Sequence, residues 1–343
     1  MKVLVLGFSV TADNDGFVER FISTNFENLK VSKIALGGVQ PHHLAFLVRD
    51  LLSNKSFDLV ILDISTAGFR SFLKKSIYLL SLINILKEVM LIGAKPIIFD
   101  IPRADIDPYK DWVFSTNEKI CKLFNIQYIR AIDYMEGPLN NYFRDGIHTN
   151  STGANLLAEV LLNNINSSMC DEFSPTYDSL PEVVKSIQLD IYSPDDTSFN
   201  KVEFSRAGYI KSFLQLKESE ILQVSVSEQL YCNGVFYLMG PETGKFRLDF
   251  GEDEKTITAL DSHCYYRRLG VSFFEGISIR NKITLINDPI RPNVELIKGT
   301  LQTGNILNYI GGFLLSNVQD LNEASNKLVD VLNFNFDLNY VFE

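Results

Sequence analysis

The sequence predicts an α/β fold: a doubly wound parallel sheet over residues 1–166, followed by a second, β-rich domain of sandwich or jelly-roll type over 180–343 that ends in a helix. Three observations carry this. The opening run, Met1 to Gly7, is short, branched and almost wholly apolar, as a strand buried on both faces of a parallel sheet must be. Strand-like and helix-like stretches then alternate, which is the pattern of βαβ units. Past a polar stretch from Ser167 to Pro175, the apolar period switches from helical to alternating.

Element by element, Phe17, Phe21 and Ile22 predict a short helix after the first strand, and Val31 to Leu36 predicts the second strand. Leu44, Leu47, Val48, Leu51 and Leu52 share one helical face. Leu59 to Ile64 is the third strand, and Ser71 to Met90 a long apolar helix. Lys95 to Pro102 reads as a fourth strand running out into a loop, Trp112 to Phe124 as a helix, and Ile126 to Ile129 as a fifth strand. Asn150 or Ser151 can cap a last helix in which Ala154, Leu157, Ala158, Leu161 and Leu162 recur at helical spacing. In the second domain the clearest strands are 187–191, 221–226, 234–238, 246–250 and 283–286, with turns at Gly240-Pro241 and 242–245. Leu321 to Leu332 closes the chain as a helix.

Composition bounds the function. At 343 residues and 46% apolar residues the chain is long enough for two cores. A formal charge of −10, with lysine and arginine scattered, argues against a nucleic-acid surface, which needs clustered cations. Cys121, Cys170, Cys232 and Cys264 are far apart and form no Cys-x-x-Cys pair, so neither a zinc site nor a disulfide framework is expected. His42 and His43 are adjacent, but on a helix they diverge by about 100° and no third ligand is near in sequence, so no metal is expected. Gly37-Gly38 lacks the lysine and hydroxyl residue of a phosphate loop, and no cofactor is expected. No apolar stretch reaches the roughly 18 residues of a membrane span, since Lys87-Glu88 ends the longest, and no signal segment is read at the N-terminus. No membrane contact and a cytoplasmic location are the resulting expectations.

The residues that carry chemistry are far apart in sequence. Ser9 follows the first strand, and in open α/β sheets ligands bind beyond the carboxyl ends of the strands. Asp145-Gly146-Ile147-His148 lies in the loop before the last helix of the same domain. A serine hydroxyl is a weak nucleophile until an imidazole takes its proton and a carboxylate holds that imidazole, and Ser9, His148 and Asp145 are those three residue types. A serine after a strand also serves as a turn or cap residue; the placement of all three in one α/β domain favours catalysis.

At these residues the chain resembles the SGNH hydrolases, also called the GDSL esterase and lipase family. Gly7-Phe8-Ser9 stands for the Gly-Asp-Ser block, with phenylalanine in place of aspartate. Gly37-Gly38 matches the glycine after the second strand, and Asp145-Gly146-Ile147-His148 matches the Asp-x-x-His block. Thr66, or Ser65, occupies the place of the asparagine after the third strand. The resemblance covers about half the chain and implies a flavodoxin-like sheet, a Ser9–His148–Asp145 triad, and an oxyanion hole from the amides of Ser9 and Gly38 with the Thr66 hydroxyl. It further implies removal of a small acyl group, acetyl on a saccharide or a related metabolite being the favoured substrate. An O-acyltransferase acting on a sugar and a catalytically inactive carbohydrate-binding module are the alternatives.

Two further groups are candidates. Tyr231, Tyr237, Tyr265, Tyr266, Arg267 and Arg268 of the second domain could stack on or bond to a sugar, although aromatic residues in strands more often cover a core or an interface. Asp100, Arg103 and Asp105 follow the fourth strand and approach the same sheet edge as Ser9, as pocket lining or as a solvated loop. The partner expected is an acyl ester, small or saccharide-borne, and self-association through the β-rich domain is left open.

Overall fold

The computed structural model describes residues 1–24, 29–168, 175–226, 230–301 and 304–336; Cys170 and most of the polar stretch read between the domains lie outside the described residues. The first half is a five-stranded parallel sheet of order β2-β1-β3-β4-β5. Its strands are β1 (Lys2–Gly7), β2 (Lys30–Ala35), β3 (Leu59–Leu62), β4 (Lys95–Asp100) and β5 (Gln127–Arg130). This is the 2-1-3-4-5 order of a flavodoxin-like sheet, whose chain reverses direction between β1 and β3 and opens a crevice there.

Strand alternation explains why helices cover both faces. Leu4 and Leu6 of β1 point into a core shared with α3 (Pro41–Leu52), α4 (Lys75–Leu91) and α5 (Trp112–Phe124). Val3 and Val5 point the other way, toward α2 (Phe17–Ser23) and α6 (Ser151–Ser168). The expected N-cap holds, and a stop not read from the sequence is present as well. Asn150 Oδ1 accepts the Gly153 N–H at 3.0 Å at the start of α6, and Asn125 closes α5 in the left-handed conformation. The β4 strand ends at Asp100, two residues before the expected Pro102, and α4 begins at Lys75 rather than at Ser71.

The second half is a sandwich of antiparallel sheets. One is six-stranded, β13-β10-β15-β8-β7 with β6 also paired to β15; the other is four-stranded, β12-β11-β14-β9. In chain order these are β6 (Leu189–Tyr192), β7 (Asn200–Arg206), β8 (Tyr209–Leu216), β9 (Ile221–Ser225), β10 (Tyr231–Met239), β11 (Lys245–Asp249), β12 (Glu254–Thr258), β13 (Arg268–Ser278), β14 (Lys282–Asn287) and β15 (Asn308–Ser316). Val235, Tyr237, Phe313 and Leu315 face Phe246, Leu248, Ile283 and Leu285 of the other sheet. The opposite face of the six-stranded sheet is covered too: Phe236, Leu238, Leu269 and Leu314 join the core that contains α3 and α4. Every residue of β15 is buried in consequence.

Polar contacts lock this packing. Arg49 of α3 donates to both carboxylate oxygens of Glu88 at 3.0 Å and to Asp190 of β6 at 2.7 Å. Lys87 donates to the Ile187 carbonyl at 2.5 Å. The Lys87-Glu88 pair that ends an apolar run in sequence is thus buried, because Ile187, just before β6, and Arg49 of α3 supply its partners. The final helix, α8 (Leu321–Val331), returns to the first domain, where Ser325 Oγ meets Ser76 Oγ at 3.0 Å beside α4. No helix among the described residues is long and apolar enough to cross a membrane.

The turn between β7 and β8 seals the open edge of the parallel sheet. Ala207 and Gly208 both have positive φ, 48° and 78°, and the Ala207 carbonyl accepts the Ala35 N–H of edge strand β2 at 3.0 Å. A Cβ on Gly208 would lie 1.8 Å from the Lys33 carbonyl oxygen. Gly208→Ala should therefore destabilise the protein by at least about 2 kcal/mol, combining backbone strain with the lost edge contact. Denaturant unfolding checks it, and Ala207→Gly, which relieves strain, should leave stability equal or higher.

Candidate active site

Ser9 is the first residue of α1 (Ser9–Ala12), a single helical turn directly beyond β1. The turn is tight for a steric reason. A Cβ on Gly7 would meet Thr11 Oγ1 at 2.2 Å and Asp63 Cβ at 2.9 Å, so only glycine lets the chain turn here. Thr11 donates to Asp63 Oδ2 at 2.8 Å, and Thr66 donates to Asp63 Oδ1 at 2.9 Å. One buried carboxylate just past β3 thereby pins the Ser9 turn to the neighbouring strand. Phe8, where the resemblance has aspartate, is buried in the helix-side core.

The loop before α6 folds back on itself. Arg144 donates its N–H to the His148 carbonyl at 2.9 Å, and Phe143 bridges to Thr149. Asp145 Oδ1 accepts the N–H groups of Ile147 and His148, both at 2.7 Å, and Asp145 Oδ2 lies 2.9 Å from His148 Nδ1. Desolvation opposes the charge on Asp145, but these two backbone donors and the imidazole outweigh it and hold its pKa down to about 2. A carboxylate can only accept, so Nδ1 carries the proton and Nε2 is the free ring nitrogen.

The two loops meet. Arg144 forms an ion pair with Asp13 at 2.8 Å, joining the His148 loop to the segment after Ser9. Ser9 and His148 line one cleft of about 670 Å³ with Ala35, Gly37 and Gly38. Among the described residues the Ser9 hydroxyl has no hydrogen-bond partner, and the N–H groups of Ser9 and Gly38 have no backbone acceptor. Gly38 has φ +87°.

The second domain supplies the opposite wall: Arg206 and Ala207 from the β7–β8 turn, and His263, Tyr266 and Arg268 from the approach to β13. The Arg206 guanidinium lies 5.1 Å over the Tyr266 ring. Sequence reasoning singled out Tyr266 and Arg268 but passed over Arg206 and His263. That His263 is one of only four histidines was the available signal.

Other expected residues lie elsewhere. Thr66 is buried and its hydroxyl is engaged with Asp63, so it does not line the cleft. Ser65 is buried as well and bonds to Ile101. Asp100 is buried against Asn117 and Tyr128, with burial raising its pKa to about 7; Arg103 pairs with Asp105 and donates to the Thr66 carbonyl, beside Gly146 of the His148 loop and outside the lining of the Ser9 cleft. Tyr237 is a core residue bonded to Ser272, and Arg267 is held by Glu242 and Tyr309. His42 and His43 line a different cavity, of about 860 Å³, between α3 and β13; their rings are 4.0 Å apart, and burial lowers the pKa of both, His42 to about 4. Among the described residues no group of three histidine, cysteine or acidic side chains is placed to hold a metal.

Asp63 makes the turn pH-sensitive. Burial raises its pKa to about 6, against the two hydroxyl donors that favour the charged form. A raised folded value means its contribution is fully present below the unfolded value of about 4 and is lost as pH rises through about 6. Relative to the non-titrating Asp63→Asn, the wild type should lose stability across that window. At about 1.4 kcal/mol per pH unit the loss is on the order of 3 kcal/mol. Urea unfolding of both proteins at pH 4, 5, 6 and 8 measures it.

No protein-family model and no curated protein sequence matches the chain. Among solved structures it is similar to a two-domain esterase active on acetylated mannans, with TM-score 0.63 and 12% identity over 93% of this chain and 91% of that one. The same esterase co-crystallised with mannopentaose gives TM-score 0.59 over the same shares of both chains. The chain therefore shares a two-domain fold with that esterase; in this protein it is a flavodoxin-like parallel α/β domain joined to an antiparallel β domain.

Proposed function

We propose that this protein is a serine-dependent hydrolase of acyl esters that removes a small acyl group, acetyl, from a saccharide. The observation that carries the reading is the shared cleft of Ser9 and His148, with His148 Nδ1 held 2.9 Å from Asp145 and with Gly38 lining the same cleft. Fold likeness to an esterase active on acetylated mannans supports the substrate class, as does the aromatic and basic lining of the cleft by Tyr266 and Arg206, residue types suited to a sugar.

In the proposed reaction His148 Nε2 takes the Ser9 hydroxyl proton while Ser9 Oγ attacks the ester carbonyl carbon. The electron pair displaced onto the carbonyl oxygen is held by the N–H groups of Ser9 and Gly38. Collapse breaks the ester bond, and the imidazolium returns its proton to the departing sugar hydroxyl. Water, activated by the same imidazole, then releases the acid from Ser9. Asp145 keeps Nδ1 protonated and stabilises the imidazolium. The Thr66 hydroxyl has no part in this scheme, since it already donates to Asp63.

Ser9→Ala should abolish turnover of 4-nitrophenyl acetate and of acetylated mannan oligosaccharides; equal rates in wild type and variant would show a binding module instead. Asp145→Asn, which preserves the loop's acceptor but favours the wrong tautomer, should lower kcat by about 10³- to 10⁴-fold with the fold retained by circular dichroism. Mass analysis of products formed with a sugar acceptor present separates the two acyl fates: free acetate is expected, and acetylated acceptor would assign a transferase.

A further inference from the structure

The oxyanion hole just described has two backbone donors and lacks the side-chain donor that an asparagine after β3 would give. Thr66 stands in that place with its hydroxyl turned to Asp63. A cation from the second domain reaches the same wall. Arg268, the first residue of β13, lines the cleft with Ser9, Gly38 and His148, and its side chain is 21% exposed. A Cβ built on Gly38 would find Arg268 Nη1 at 3.9 Å, its nearest side-chain neighbour.

The guanidinium is only partly used. Nη2 donates to Asp261, Nε is buried with no partner, and Nη1 has no partner among the described residues. A guanidinium that served only as an ion-pair partner would be expected to offer its carboxylate two parallel donors. Here Asp261 takes one, and Nη1 is left beside Gly38. A buried donor without a partner, as Nε is, is rare and calls for an explanation.

We propose, on the basis of the acyl-transfer reading above, that Arg268 is a further catalytic residue: its Nη1 donates to the oxyanion beside the N–H groups of Ser9 and Gly38, taking over the task of the absent asparagine. It transfers no proton. When Ser9 Oγ bonds to the carbonyl carbon and the carbonyl π pair moves to oxygen, the new charge meets a permanently charged donor in a partly desolvated cleft. A charge-assisted bond there is stronger than one from a neutral amide. The β domain is then part of the reacting centre, and the first domain alone is incomplete.

The test uses the full-length protein and 4-nitrophenyl acetate, which carries no sugar. Arg268→Gln should lower kcat by about 100-fold, the cost of one oxyanion donor, with KM unchanged. Arg268→Lys keeps a cation for Asp261 but loses the forked reach, so it should fold like the wild type and still show most of the deficit. Added guanidinium ion should restore part of the rate to Arg268→Ala and none to Ser9→Ala. Wild-type kcat in Arg268→Gln, or a deficit confined to KM for acetylated oligosaccharides, would overturn the proposal in favour of a sugar-binding arginine while leaving the Ser9 reading intact. Wild-type turnover by Ser9→Ala would instead remove that reading, and this inference with it.

Discussion

The structure depends on one constraint: the central strands β10 and β15 of the six-stranded sheet are buried on both faces. Its inner face forms the sandwich core with the four-stranded sheet, and its outer face packs on α3 and α4 of the parallel domain. Removing that apolar surface from water is the dominant favourable term available, and because it is non-directional it does not by itself set the register. Arg49, Glu88, Asp190 and Lys87 then fix the register of the contact, since a slip would leave buried charges unpaired. Two modules that read as separate in composition are joined along a whole sheet, and the cleft at their seam inherits that rigidity.

That seam meets the parallel sheet at its switch point. Chain reversal between β1 and β3 opens a crevice, and the Gly7 turn, held by the Thr11–Asp63–Thr66 hydrogen bonds, sets Ser9 at its lip. The His148 loop arrives from the far end of the domain and is tied in by the Arg144–Asp13 ion pair. From the other side, the β7–β8 turn and the start of β13 close the wall. Both residues that differ from the pattern the sequence resembles do so for structural reasons. Phe8 belongs to the core, and Thr66 belongs to the turn that supports Ser9.

Much of this was legible beforehand because it is local. Apolar runs bounded by turn residues located all five parallel strands, and helical spacing located the helices between them, with errors of a few residues where Ser71 to Lys74 and Ile101-Pro102 run as loop. Strands β6, β9, β10, β11 and β14 were also legible. β13 and β15 were not. With both faces covered, β15 reads as a continuous apolar run broken by Gly311-Gly312, and alternation, the signal of a half-buried strand, is absent. β7 and β8 escaped notice because the Ala207-Gly208 turn that separates them is defined by its docking on β2.

By itself the sequence determined the two fold types, their order, and the chemical identity of Ser9, Asp145 and His148, because strand burial, helix period and side-chain chemistry are properties of residues and their near neighbours. Tertiary structure alone decided which of the flagged residues share a space. It turned Thr66 toward Asp63, sent Tyr237 into the core, buried Lys87 and Glu88 as partners of Ile187 and Arg49, and brought Arg206, His263, Tyr266 and Arg268 to the Ser9 cleft. These outcomes follow from two sheets meeting face to face, and no spacing along the chain encodes which strand end will lie opposite which turn.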